Sequence, residues 1–251
     1  MIRFLKFFLG LLLVCGTVFF HEYGHYSVLK MHDVKVLEVT VGFGPTIWST
    51  KFDDGTTFAV KPILLGGYTK PLDHGPGSIE TLSFGGMLTF HLAGTFFNCI
   101  FAAAMLLLLG YAKKIEAPPW LAGIPAPLRP LAAAITVPLV AWMIWPVRMV
   151  LGVLRRAVLG KQADKVLVFP PGIEGPMSIS LSSGLRWCAL INLELAATNM
   201  LPISPLDGGH AIQAVILRVM GNEAATFYGS VGWLVAVALM IAANARAPKR
   251  L

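Results

Sequence analysis

Long apolar runs separated by polar connections dominate this chain. One lies between Lys6 and Lys30, a second extends from about Phe84 to Ala112, and two more run from about Trp187 to Leu206 and from about Phe227 to Ala243. A helix needs roughly 20 apolar residues to cross about 30 Å of hydrocarbon, so the pattern predicts an all-α polytopic membrane protein with four transmembrane helices. A fifth apolar stretch, Leu131 to Val147, stands between the two pairs, with Pro138 and Pro146 placed to kink or end a helix. After the first run, residues 33–82 turn polar and carry strand-like stretches at Lys35 to Val41, Thr46 to Lys51 and Thr56 to Lys61. Asp53-Asp54-Gly55 has the residue types of a hairpin turn, and Gly42-Phe43-Gly44-Pro45 and Gly66-Gly67-Tyr68 permit further close turns. At about 50 residues the segment is longer than a plain connection requires, which predicts a small membrane-associated β-hairpin region.

The expected organisation is one domain over 1–251. It comprises a first helix (1–32), the β loop (33–82), a second helix (83–112), a linker (113–183), a third helix (184–221), and a fourth helix with its tail (222–251). Pro118, Pro119, Pro125, Pro127 and Pro130 make the linker extended rather than globular, and an interfacial or re-entrant helix is expected within it. Composition supports a membrane protein: 56% of residues are hydrophobic, 13% are charged, and the mean hydropathy is +0.71. The net charge of +7 reads as loop charge facing anionic lipid headgroups, and such a composition argues against a nucleic-acid partner. Cys15, Cys99 and Cys188 fall in apolar runs without metal-ligand or disulfide spacing, so they read as small packing residues. Arg3 and Lys6 ahead of an apolar run imitate a secretory signal, but no small-residue cleavage pattern follows. The segment is expected to be retained.

Candidate chemistry is concentrated where the hydrophobic pattern should exclude it. His21-Glu22-Tyr23-Gly24-His25 lies inside the first apolar run, where each ionisable side chain costs a few kcal/mol unless it has a partner. One helical turn apart, His21 and His25 share a face and can converge on one Zn²⁺, leaving Glu22 beside them as a base. A second polar group, Asn199-Met200-Leu201-Pro202-Ile203-Ser204-Pro205-Leu206-Asp207-Gly208-Gly209-His210, ends the third run. Asp207 is the natural third ligand, because a catalytic zinc takes three protein ligands and keeps one position for water. Prolines at membrane depth imply a buried or wet cavity around them. The bland alternatives are a packed polar cluster for the HExxH residues and Asp207, and helix bridging for Asn98 and Asn199. His210 reads as a helix-start or substrate-side residue rather than a ligand, and His91 as structural.

Together these residues resemble the site-2 protease family of intramembrane zinc metalloproteases. The HExxH at His21 to His25 and the Leu206-Asp207-Gly208 motif are similar to that family's two metal-binding motifs. The spacing of Asn199 and Pro202 ahead of Asp207, and Ala93-Gly94-Thr95-Phe96-Phe97-Asn98, are similar to two more of its segments. Gly42-Phe43-Gly44-Pro45, Gly66-Gly67-Tyr68-Thr69-Lys70 and Gly175-Pro176-Met177-Ser178-Ile179 resemble segments of the sigma-factor-regulating bacterial members, whose PDZ domains between the second and third core helices are replaced here by the proline-rich linker. The resemblance implies zinc on His21, His25 and Asp207, with Glu22 catalytic. It also implies substrate-binding roles for Asn98, Asn199 and Pro202, transmembrane protein substrates, and a multi-pass position in the cell (inner) membrane.

If the two motifs stand near the C-terminal ends of their helices, an odd number of crossings must separate them. That is why 131–147 is expected to be interfacial or re-entrant rather than a crossing. The Lys/Arg distribution alone would put the linker in the cytoplasm, whereas the resemblance implies the hairpin side there. Strand addition of an unwound substrate to the hairpin between 46 and 61 is the expected mode of presentation. The competing reading is a non-proteolytic, zinc-containing membrane scaffold, against which the intact Glu22 argues. A metal transporter would carry acidic and His residues on further spans.

Overall fold

A computed structural model describes residues 2–111, 122–129, 131–136 and 181–245. In chain order the principal elements are α1 (Ile2–Met31), β1 (Val36–Phe43), β2 (Trp48–Lys51), β3 (Thr57–Val60), β4 (Ile63–Pro71), α2 (Phe84–Tyr111), α3 (Leu181–Asn199), α4 (Asp207–Met220) and α5 (Asn222–Ala245). The all-α expectation is corrected: residues 33–82 form more than a hairpin. They make a four-stranded mixed sheet in the order β2-β3-β1-β4, with β1 parallel to β3 and the other pairs antiparallel. The physical reason lies in β1, whose Val36, Val39 and Val41 are buried, so the strand needs partners on both edges and cannot serve as a solvent-washed connection.

The expectation of four spans is corrected as well. Among the described residues, one helix, Phe84–Leu109, is long and apolar enough to cross a membrane. Arg186, Asn192, Glu194 and Asn199 interrupt the apolar character of α3, which has 19 residues. In α1 the polar residues from His21 to Lys30 shorten the apolar run. Most of 113–183, including 137–147 of the stretch expected to be interfacial or re-entrant and Gly175 to Ile179, lies outside the described residues. Ala133 and Ala134, which are described, pack with Ala102 and Leu106 of α2 and Leu190 and Leu193 of α3.

Three local devices bring the sheet and helices to the site. The turn at Asp53-Asp54-Gly55 joins β2 to β3, with Gly55 at φ +84. Asp54 accepts hydrogen bonds from the Thr56 amide and hydroxyl at 2.9 Å, and Lys30 and Tyr26 of α1 reach it at 3.1 Å. Burial alone would raise the Asp54 carboxyl, but the bonds from Thr56, Lys30 and Tyr26 outweigh it and hold the group down at about 2. The turn is thereby tied to the end of α1. Between the helices, a Cβ at Gly24 would lie 2.7 Å from the Ala93 carbonyl oxygen, so the bare glycine lets α1 and α2 approach backbone to backbone. Asn192 of α3 donates to the Thr17 hydroxyl at 3.0 Å and joins α3 to α1.

Candidate metal centre

His21 and His25 stand one turn apart near the C-terminal end of α1, and Asp207 reaches them from the first residue of α4. The expected third helix, 184–221, is divided: α3 ends at Asn199, residues 200–206 are irregular, and Asp207 opens a new helix. Pro202 and Pro205 explain the break, since neither has an amide hydrogen for a helical ladder. The two glycines after Asp207 then let α4 start against its own loop. A Cβ at Gly208 would lie 2.8 Å from the Leu201 carbonyl oxygen, and one at Gly209 would lie 2.6 Å from that of Ile203. From the other side, Tyr228 of α5 donates to the Pro202 carbonyl at 2.7 Å and clamps the loop that carries Asp207.

Three donor atoms face one another across this junction. His21 Nε2 and His25 Nε2 are 3.3 Å apart, and Asp207 Oδ2 is 3.2 Å from the first and 3.5 Å from the second. Ligands held tetrahedrally at 2.0 to 2.1 Å from a zinc ion are themselves separated by roughly 3.3 to 3.4 Å, so the triangle has the size of one face of a zinc site. The tautomers agree. His25 Nδ1 is 2.7 Å from the Phe90 carbonyl oxygen, which can only accept, so Nδ1 carries the hydrogen and Nε2 presents its lone pair. Asn98 lies 3.2 Å from His21 Nδ1, and its Oδ1, buried without a hydrogen-bond partner, becomes the acceptor for Nδ1–H once the amide is turned through 180°. Three lone-pair atoms converging in a buried site repel one another without a cation between them. The donor set therefore fits a metal ion.

Gly94 lines the same space. A Cβ there would lie 2.6 Å from His21 Nε2 and would also collide with His25 Nε2, so α2 contributes an opening rather than a ligand. A cavity of about 570 Å³ adjoins the triangle. Its walls include Glu22, Gly66 to Thr69 of β4, His91 and Asn199. Glu22 is 5% exposed, and its carboxylate accepts from the Thr69 hydroxyl at 2.9 Å.

The structure thus brings Glu22, His21, His25, Asp207 and Asn199 to one cavity. It places Asn98 behind His21 instead of in the cavity wall, and Pro202 at an exposed position of the 200–206 loop, outside that wall. His210 and His91 also line the cavity, their rings stacked at 5.4 Å between centroids. Sequence reasoning missed Thr69 and the part played by the bare Cα of Gly94. Both lay within segments already singled out, Gly94 in Ala93 to Asn98 and Thr69 in Gly66 to Lys70, but the 47 residues between Thr69 and Glu22 hid their contact.

The model of peptidase family M50 matches residues 8–243. A stretch of 56 residues, 22% of this chain, is 50% identical to a "Putative zinc metalloprotease" of Xylella fastidiosa and covers 13% of that protein. Another of 106 residues, 40% of the chain, is 30% identical to a "Putative zinc metalloprotease" of Clostridium acetobutylicum and covers 31% of it. A 53-residue stretch is 47% identical to the "Regulator of sigma E protease" of Haemophilus influenzae, covering 21% of this chain and 12% of that protein. The chain spans less than a third of the length of these relatives.

Proposed function

Because this chain belongs to peptidase family M50, the zinc-dependent and membrane-embedded site-2 protease family, we propose that it is an intramembrane metalloprotease. In this reading it hydrolyses peptide bonds within or beside the transmembrane segments of other proteins in the cell membrane. The observation that carries the proposal is the triangle of His21 Nε2, His25 Nε2 and Asp207 Oδ2, with edges of 3.2 to 3.5 Å, opening onto a cavity that also holds Glu22.

His21, His25 and Asp207 would hold the zinc. When bound there it supplies Lewis acidity, which acidifies water and polarises a carbonyl. Glu22 takes the proton from the attacking water and passes it to the leaving amine, a role that needs a carboxylate within reach of both. The Phe90 carbonyl and Asn98 keep the two imidazoles in the tautomers that present Nε2. Replacing Asn98 by Ala is expected to weaken zinc binding by roughly 10- to 100-fold, as for other hydrogen-bond partners of ligating histidines. Competition with a zinc-sensitive chelator measures this, and Asn199→Ala should leave zinc affinity at the wild-type value.

The sheet order supports one mode of substrate presentation. The expectation placed the added strand on residues 46–61, yet β2 at that end of the sheet contributes nothing to the cavity wall. The opposite edge, β4, contributes Gly66 to Thr69. An unwound substrate segment would therefore pair with β4, satisfying its main-chain groups beside Glu22, while the Asn199 amide holds its backbone from the α3 side.

The test is cleavage of a panel of single-span membrane proteins by the purified full chain in detergent. Products cut in or next to the apolar segment are expected, with cleavage lost on stripping zinc and restored on adding it back. Zinc-loaded protein that cuts no member of the panel would contradict the proposal.

A further inference from the structure

Glu22 has three side-chain torsions and projects from α1 into the cavity, so something must fix its carboxylate if it is to meet water and substrate in one geometry. Two residues of β4 do this. A Cβ at Gly67 would lie 3.0 Å from Glu22 Cγ, so the stem of Glu22 rests directly against the strand there. Two residues on, and so on the same face of the strand, the Thr69 hydroxyl lies 2.9 Å from Glu22 Oε2 and 3.0 Å from the Glu22 main-chain oxygen. Among the described residues this is the one side-chain hydrogen bond to that carboxylate. In a buried site a hydrogen bond to a charged oxygen is short, directional and strong.

We propose that Thr69 is a positioning residue for Glu22, setting the direction of its carboxylate from the strand along which the substrate is presented. The kinetic part of this inference rests on the proteolytic reading above; the hydrogen bond itself does not. A hydroxyl suits the task because it has one hydrogen and two acceptors in reach. While Glu22 is ionised, Thr69 donates to Oε2. When Glu22 holds the proton taken from water, the hydroxyl can turn its hydrogen to the Glu22 main-chain oxygen and accept from the carboxylic acid, so the side chain stays in place through both halves of the reaction. A methyl group at that position can do neither.

Two substitutions in the full-length, zinc-loaded protein test this, with kinetics on one single-span membrane protein cut in the panel. Thr69→Val keeps the shape and removes the donor; Thr69→Ser keeps the donor. Thr69→Val is expected to lower kcat by about 10- to 100-fold, the cost of one lost hydrogen bond to a charged group, with KM and zinc content unchanged. Thr69→Ser should recover most of that loss. Infrared difference spectra between each protein and its Glu22→Gln counterpart, with ¹³C-labelled glutamate, read the carboxylate directly. The Glu22 stretch should shift in Thr69→Val and stay in place in Thr69→Ser. A wild-type kcat in Thr69→Val overturns the proposal, as does a loss confined to KM. If no form of the protein cleaves any member of the panel, the proteolytic reading fails and the infrared band alone decides: a shift confined to Thr69→Val supports the positioning role, and an unmoved band removes it.

Discussion

Replacing Gly94 by Ala is expected to abolish stoichiometric zinc binding without altering a single ligand. The added Cβ would lie 2.6 Å from His21 Nε2 and would press on His25 Nε2 as well, distances that carbon and nitrogen do not tolerate. Relief by moving α2 outward would open the close packing of Gly24 on the Ala93 carbonyl and stretch the bond from His25 Nδ1 to Phe90 O, which ties α1 to α2. The imidazoles must then rotate. Rotation gives up the bond from His25 Nδ1 to Phe90 O and separates the two Nε2 atoms from Asp207. The loss of zinc affinity should exceed the roughly 10- to 100-fold that removal of an outer hydrogen bond costs. Gly85→Ala on the same helix is the control: its Cβ would meet nothing nearer than Ser83 Oγ at 4.0 Å, so zinc content should match wild type. Metal analysis of both proteins after gel filtration reads the result, and a Gly94→Ala protein that keeps one zinc per chain would contradict this account of the cradle.

Much of the centre could be read from the chain because its geometry is local. Two histidines four residues apart on a helix share a face whatever surrounds them, so His21, Glu22 and His25 needed no tertiary information. Asp207 required more: its carboxylate on a proline-interrupted run identified the residue but gave its place incorrectly. The assumption that the third helix continued through it made Asp207 a C-terminal residue. Pro202 and Pro205 in fact end one helix, and Asp207 begins the next, where a carboxylate also complements the helix dipole. An argument from crossing parity that depends on which helix end carries Asp207 therefore loses its premise.

The sheet was underread for a related reason. Period-2 alternation marks a strand with one wet face, whereas β1 is buried over most of its length and pairs on both edges, with a parallel neighbour in β3. A parallel pair requires β2 and the turn at Asp54 to fold back first, and no local pattern announces that return. Asn98 and Thr69 show the limit from the other direction. Both make hydrogen bonds to residues distant in sequence, Asn98 to His21 and Thr69 to Glu22, and their roles exist only once α2 and β4 are packed on α1.

Glu22→Gln separates metal binding from chemistry, and the expected outcome is a large loss of one with none of the other. Gln has the shape of Glu and can still accept from the Thr69 hydroxyl through its amide oxygen, so the side chain keeps its place in the cavity. It makes no bond to the His21, His25 and Asp207 triangle in the structure, and zinc stoichiometry should therefore equal wild type. What Gln lacks is basicity. Removing a positioned general base typically costs 10²- to 10⁴-fold, and because the same carboxylate serves water and then the leaving amine, the loss should lie toward the upper end and fall on kcat. Asp207→Asn gives the opposite pattern, because a neutral amide is a far weaker ligand than a carboxylate. Activity and zinc should then disappear together, while Glu22 is intact. Measuring kcat and bound zinc on both variants makes the distinction. If Glu22→Gln cleaved within tenfold of wild type at full zinc occupancy, proton transfer would have to be assigned to another group in the cavity, and His91 and His210, stacked on its wall, would be the next to replace.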